Sequence, residues 1–221
     1  MRGLKFQIHG SDREILRGWV PSVEVQAEQI VYQGLHLSQA ALSASQIQIN
    51  LGQVLQGKPL RLLEVVPVVG TVRFTQADLS ASMTAPLLKQ ALVDFFTLVV
   101  NHLDQELLPV ATELTALYPL QLQQPQIQLV TNGLMLTAEL LTPNASPAQL
   151  VLEAQLQISQ GSLLQFMPLK ICCALPDQQP IVGVASQPLI IDLGAEVHLQ
   201  KLNITPEQIL CEGRMNVASA D

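Results

Sequence analysis

From Leu4 onward, apolar and polar side chains alternate. Leu4, Phe6 and Ile8 fall on one side, and Lys5, Gln7 and His9 on the other. A period of two predicts a half-buried strand. Val23, Val25 and Ala27 alternate with Glu24, Gln26 and Glu28 in the same way, and Gly34-Leu35 marks a turn after them. Leu42 and Ala44 share a phase, whereas Ile47, Ile49 and Leu51 are one residue out, so a bulge is expected near Ser45-Gln46. Residues 60–66 and 71–75 read as further strands, separated by Pro67 and Gly70.

The period then changes. Thr75-Gln76-Ala77-Asp78 has the spacing of a capping box, in which the Thr oxygen accepts from a free helix amide and the Asp carboxylate reaches back. Pro86 suits the first turn of a second helix. Beyond it Leu88, Ala91, Leu92, Phe95, Leu98, Val99, His102 and Leu103 recur at three- and four-residue spacing. They predict an amphipathic helix over 86–108, ended by Pro109, with a shorter helical stretch over 110–117.

After Pro119 the period returns to two. Asn132-Gly133 is a favoured type I′ turn pair, because both central positions need positive φ. Counting outward pairs Leu129 with Leu136 and Ile127 with Ala138, and sets Gln128 against Thr137 and Gln126 against Glu139. Leu150, Leu152, Ala154, Leu156 and Ile158 form the inward row of a longer strand. The chain closes with a strand over 197–202, a turn at Pro206, and Ile209, Cys211, Met215 and Val217 alternating with polar neighbours. Strands, helix, strands predicts an α+β fold. Its curved, mostly antiparallel sheet would wrap one long amphipathic helix in a single domain over 1–221.

Composition sharpens this. Hydrophobic residues make up 48% of the 221 and charged residues only 13%, against roughly 25% charged in an ordinary soluble domain. Glutamine supplies much of the polar surface, as at Gln121, Gln123, Gln124, Gln126 and Gln128. So little charge suits a protein that sits against another surface. A net charge of −7 argues against a nucleic-acid partner, which would need clustered Lys and Arg. Arg2, Lys5, Arg13 and Arg17 nevertheless gather in the first seventeen positions. With the lone Trp19 beside them, Arg13 and Arg17 are candidate membrane contacts, because Trp and Arg suit a lipid headgroup layer. A solvated loop and an ordinary core tryptophan would read the same way.

Cys172, Cys173 and Cys211 form no spaced pattern, which predicts reduced thiols packed as small hydrophobes. The run Phe95-Phe96-Thr97-Leu98-Val99-Val100 is far short of the about twenty residues of a membrane span. The start Met1-Arg2-Gly3-Leu4-Lys5 has no signal-peptide pattern. The expected location is therefore cytoplasmic or peripheral to a membrane. His9, His36, His102 and His198 have no second ligand at helical or hairpin spacing, and no phosphate loop or nucleophile motif occurs. The sequence predicts a non-enzyme without cofactor or metal.

The helix is the candidate site. Phe95 and Phe96 lie about 100° apart on a helix, so both cannot point the same way. With Val99, Val100 and Leu103 they make an apolar arc wider than one core stripe needs. Either the helix is buried on two sides, or part of the arc lines a cavity for acyl chains. On the second reading Leu88, Leu92, Phe95, Phe96, Val99 and Leu103 are the lipid contacts.

Three segments together resemble the LmeA-like phospholipid-binding family. Gly18, Val23, Val25, Ala27, Tyr32, Gly34 and Leu35 look like its opening hairpin. Residues 72–79 look like its strand-to-helix junction, with Asp78-Leu79-Ser80 where the family usually has Asp-Leu-Asn. The stretch from Leu193-Gly194 to Leu202, with Ile209-Leu210, Gly213 and Val217, looks like its closing hairpin. The resemblance implies phospholipid binding without catalysis and a TULIP-like sheet wrapped on a helix. An acyl-chain ligand and a membrane surface are the expected partners. The alternative is a protein-interaction scaffold using a Gln-rich sheet face or edge.

Overall fold

The computed structural model describes residues 2–106, 121–142, 145–174 and 179–219. The first part of the chain forms β1 (Arg2–His9), a short helix α1 (Asp12–Leu16), the long hairpin β2 (Trp19–Tyr32) and β3 (Leu35–Gln48), one turn of helix α2 (Leu51–Val54), and β4 (Val66–Thr75). Helices α3 (Gln76–Ser82) and α4 (Pro86–Glu106) follow. Then come β5 (Gln121–Val130), β6 (Gly133–Thr142), β7 (Ala145–Ser159), β8 (Leu163–Ala174), β9 (Ile181–Val184) and β10 (Leu189–Asp192). The final hairpin is β11 (Val197–Ile204) and β12 (Gln208–Val217).

The strands form two open antiparallel sheets rather than the one sheet expected. The first has the order β1-β2-β3-β4-β12-β11, so the closing hairpin returns to the strands at the start of the chain. The second runs β10-β8-β7-β6-β5, with β9 also on β8. Helix α4 lies on the second sheet alone. Leu92, Phe96, Val99, Val100 and Leu103 pack with Leu136, Leu140, Leu150, Leu152, Leu169 and Ile171 into the main core, to which the first sheet contributes nothing among the described residues. Alternation identifies the faces of strands but not their partners, so one sheet and two read alike in sequence.

The capping box forms as predicted. Thr75 Oγ1 accepts from the Asp78 amide, and Asp78 Oδ2 accepts from the Thr75 amide at 2.8 Å. Burial pushes the Asp78 carboxyl up. The hydrogen bonds from Ser38, from the Thr75 amide and from the Thr75 hydroxyl, with His36 nearby, outweigh it and hold the carboxyl below the usual carboxylate range. Helix α4 starts at Pro86 as expected and is described to Glu106. The stretch at 110–117 lies outside the described residues.

Other expectations need correction. Residues 60–65 are not a strand; Leu62 makes only an isolated bridge to Ile49. Strand β4 runs unbroken through Pro67 and Gly70. Pro67 pairs only with β12, past the end of the β3 ladder at Val68, so its missing N–H costs no bond to β3. A Cβ on Gly70 would strike the Leu42 side chain and the Ala41 carbonyl, so the glycine marks a close approach. Gln46 takes φ +57° and the ladder skips it opposite Pro21, but the register does not shift: both strands lose one residue.

The β5–β6 hairpin is two residues out of its predicted register. Leu129 faces Leu134 and Ile127 faces Leu136, and the turn sits on Thr131-Asn132, with Asn132 at φ +59°. Gly133 is the first residue of β6. A Cβ there would collide with the Ala154 carbonyl of β7, so its glycine serves sheet packing rather than the turn. A slip of two keeps every side chain on its face, which is why the apolar partition could not detect it.

The two sheets meet at a clamp built on Gln76. Its side-chain Nε2 donates to the Ile127 carbonyl and its Oε1 accepts from the Leu129 amide, both at 2.7 Å. The Gln76 amide donates to Glu207 O, and Asn132 N donates to Ile204 O, each at 3.0 Å. One glutamine at the start of α3 thus pairs with β5 much as a strand residue would.

Candidate functional site

Where the clamp holds the sheets together, a cavity of about 270 Å³ remains between α4 and the second sheet. Leu88, Ala91, Leu92 and Phe95 form its helix wall. Leu136, Leu152, Ala154, Leu156, Leu164 and Phe166 form its sheet wall, and Leu79 of α3 and Ile209 of β12 close the side toward the first sheet. Ile127 and Leu134 complete it, and every lining residue is apolar. The Phe95 and Phe166 rings meet at 4.9 Å.

Helical geometry explains why the cavity exists. Successive residues turn by about 100°, so Leu88, Ala91 and Phe95 share one flank of α4, while Phe96, Val100 and Leu103 share another, with Val99 and Leu92 between them. The second flank is buried in the core. The first turns toward the junction of the sheets, where Leu79 of α3 and Ile209 of β12 line the space opposite it. Leu88, Leu92 and Phe95 of the predicted contacts therefore line the cavity, and Phe96, Val99 and Leu103 are brought into the closed core instead. Leu98, assigned to the inward face by its spacing, is exposed.

The first sheet adds a surface that the sequence reading missed. Registers align Phe6, Val25, Leu42, Gly70, Gly213 and Leu199 in one row across all six strands. The next row is Ile8, Val23, Ala44, Val68, Met215 and Val197. Both rows are wholly apolar and lie on one face, yet no described element covers them: Phe6 is 57% and Met215 48% exposed. The apolar alternation of β1 was read correctly, but its predicted half-burial was not, because a covering layer cannot be seen in a strand's own pattern. Gly70 and Gly213 sit side by side at the centre, and their missing side chains leave a trough of about 140 Å³ lined by Leu42, Val72, Leu199 and Cys211. Cys211 stands two residues after Ile209 on the same face of β12, so trough and cavity are adjacent along one strand.

The remaining candidates lie elsewhere. Arg13 and Arg17 are exposed at α1 and Trp19 is half-buried at the start of β2, all on the first sheet. Cys172, Cys173 and Cys211 are free thiols, and burial pushes those of Cys173 and Cys211 up. His102 Nε2 lies 3.1 Å from the Gln187 carbonyl. Among the described residues no group of three His, Cys, Asp or Glu could hold a metal ion. Among the described residues no single helix is long and apolar enough to cross a membrane; α3 and α4, bent by 95°, reach that composition only as a pair.

No curated protein and no solved structure shows a significant match to the chain. The family model for LmeA-like phospholipid-binding proteins matches residues 3–214, which takes in the clamp, the cavity beside α4 and nearly all of both sheets. The chain belongs to the LmeA-like phospholipid-binding family.

Proposed function

We propose that this protein binds phospholipid without transforming it, and carries or presents it at a membrane surface. The observation that supports this reading is the wholly apolar cavity between α4 and the second sheet, lying next to the uncovered apolar face of the first sheet. Ligand pockets typically span roughly 300–1,000 Å³. At about 270 Å³ the cavity suits part of one acyl chain, with the rest of the lipid along the open trough. Each methylene removed from water contributes about 0.8 kcal/mol, so ten would supply a gross gain of about 8 kcal/mol before ordering costs. Leu88, Leu92 and Phe95 contact the chain, while Phe96, Val99 and Leu103 hold the wall behind them. In this reading the arrangement is a TULIP-like plan in which sheet and helix wall share the ligand.

The cavity wall carries no titratable side chain, which suits holding a ligand rather than reacting with it. Mass spectrometry of organic extracts from purified protein tests the reading. Co-purified phospholipid, together with uptake of a fluorescent phospholipid by stripped protein, is the expected result. Protein that neither carries lipid nor takes it up would overturn it.

A further inference from the structure

At the end of the first sheet opposite α3, two short elements meet. Helix α1 leads into β2, and the loop from α2 to β4 follows β3. They are joined backbone to backbone: Ile49 N donates to Gly18 O at 2.8 Å, and a Cβ on Gly18 would lie 3.6 Å from that of Leu51. The loop is firmly built. Asn50 is buried, its Nδ2 donates to Pro59 O at 3.0 Å and its Oδ1 accepts from Arg61 N at 2.7 Å, while Leu63 N donates to Gln48 O at 2.9 Å.

This rigid frame turns leucines outward. Leu55 at 81% and Leu16 at 75% are the most exposed large hydrophobics among the described residues, with Leu60 at 63% and Leu63 at 58% beside Leu55 in the loop. Cations alternate with them: Lys58 and Arg61 in the loop, Arg13 and Arg17 on α1. Among the described residues none of the four is in an ion pair. Asp12, Glu14 and Glu64 lie in the same stretches, which leaves a net charge of +1 here in a chain of −7. A soluble loop fixed by hydrogen bonds gains nothing from presenting leucine to water. Apolar tips ringed by Arg and Lys match the two layers of an anionic membrane surface, acyl boundary and headgroup phosphate.

We propose that this end of the first sheet docks on a membrane surface containing anionic lipid, with Leu55, Leu60 and Leu16 entering the headgroup layer and Arg13, Arg17, Lys58 and Arg61 meeting the phosphates. The choice of lipid over a protein partner rests on the phospholipid-binding reading above. Docking there gives the groove a direction. Val68, Val197 and Met215 carry the trough toward this same end, whereas β4 reaches α3 ten residues away, roughly 30 Å along the strand. A lipid leaving the bilayer would enter the trough at its membrane end and move toward the cavity beside α4.

Flotation with vesicles of phosphatidylcholine alone, or mixed equally with phosphatidylglycerol, tests the proposal. Wild type is expected to float with the mixed vesicles, less so as salt rises. Leu55→Ser/Leu60→Ser should lower the partition coefficient by roughly tenfold or more. Arg13→Gln/Arg17→Gln should weaken the preference for phosphatidylglycerol. Both variants should keep their melting temperature and their co-purified lipid. Wild type that ignores vesicles, a leucine variant that floats as well as wild type, or a dimer that the leucine variant splits in light scattering would each overturn the proposal. Wild type that floats yet neither carries nor takes up lipid supports the docking surface and removes the groove reading.

Discussion

The rings of Phe95 and Phe166 lie 4.9 Å apart with their planes tilted by 42°. Phe166 is buried in β8 and Phe95 half-buried on α4, and both line the cavity. The pair therefore marks where close packing of the helix on the second sheet stops and unfilled apolar space begins. Tilted aromatic pairs contribute about 0.5–1.5 kcal/mol beyond their burial, so this rim is a fixed edge of the cavity.

Filling the cavity from its open side should abolish ligand binding without harming the fold. Ala91 lines the cavity but is itself exposed, so a larger side chain there meets space rather than core. Ala91→Trp is expected to lose most bound phospholipid, measured as lipid phosphorus per protein. Its urea midpoint should stay within the range set by about 0.5 kcal/mol, as for ordinary surface changes. Unchanged lipid content would place the ligand elsewhere.

Residues on the closed flank of α4 should behave in the opposite way. Leu103 is fully buried among Leu140, Leu150 and Leu169. Leu103→Ala should cost about 3 kcal/mol, from lost transfer energy and a residual void. Lipid bound per folded molecule should stay at the wild-type level. Urea unfolding combined with the phosphorus assay separates this outcome from that of Ala91→Trp.

These contrasts also show how far the sequence could be read. The capping box at Thr75 and the helix start at Pro86 depend on neighbours within four residues, and both form as predicted. The β5–β6 register depends on a contact between Gly133 and Ala154, twenty-one residues apart, and was missed by two. Leu88 and Leu103 have the same character on the helical period, yet one lines a cavity and the other the core. The difference comes from the way Gln76 holds the first sheet beside the second, which leaves no trace in the periodicity of α4. The apolar face of the first sheet was legible strand by strand. That nothing described covers it was not.

The Asp78 carboxylate should make the sheet-to-helix junction acid-sensitive. Its folded pKa is lowered, because hydrogen bonds from Ser38 and Thr75 to the charged form outweigh burial. The unfolded state thus takes up a proton at higher pH than the folded one. The stabilisation is complete above the unfolded carboxylate pKa and is lost as pH falls through the folded value. Asp78→Asn is expected to lower the melting temperature at neutral pH and to flatten its decline between about pH 5 and pH 3. Parallel melting curves for variant and wild type across that range would assign the acid sensitivity to other carboxylates.

Cys211 offers a direct report on the trough. Its side chain lines that space beside Leu42 and Val72, and burial pushes its thiol up, so little thiolate is present near neutral pH. An acyl chain lying along the trough would cover the sulfur further. In a Cys172→Ser/Cys173→Ala background, Cys211 is the one remaining thiol. Maleimide should modify it slowly in protein as purified, several-fold faster after the lipid is stripped, and slowly again once phospholipid is restored. The rate should also climb with pH in the stripped protein, as the thiolate becomes available. If stripping leaves the rate unchanged, the ligand does not reach the first sheet and is confined to the cavity beside α4. If stripping accelerates labelling and Ala91→Trp as purified labels as fast as the stripped protein, cavity and trough hold one chain and are coupled through the Ile209 side of the cavity, in line with the shared face of β12.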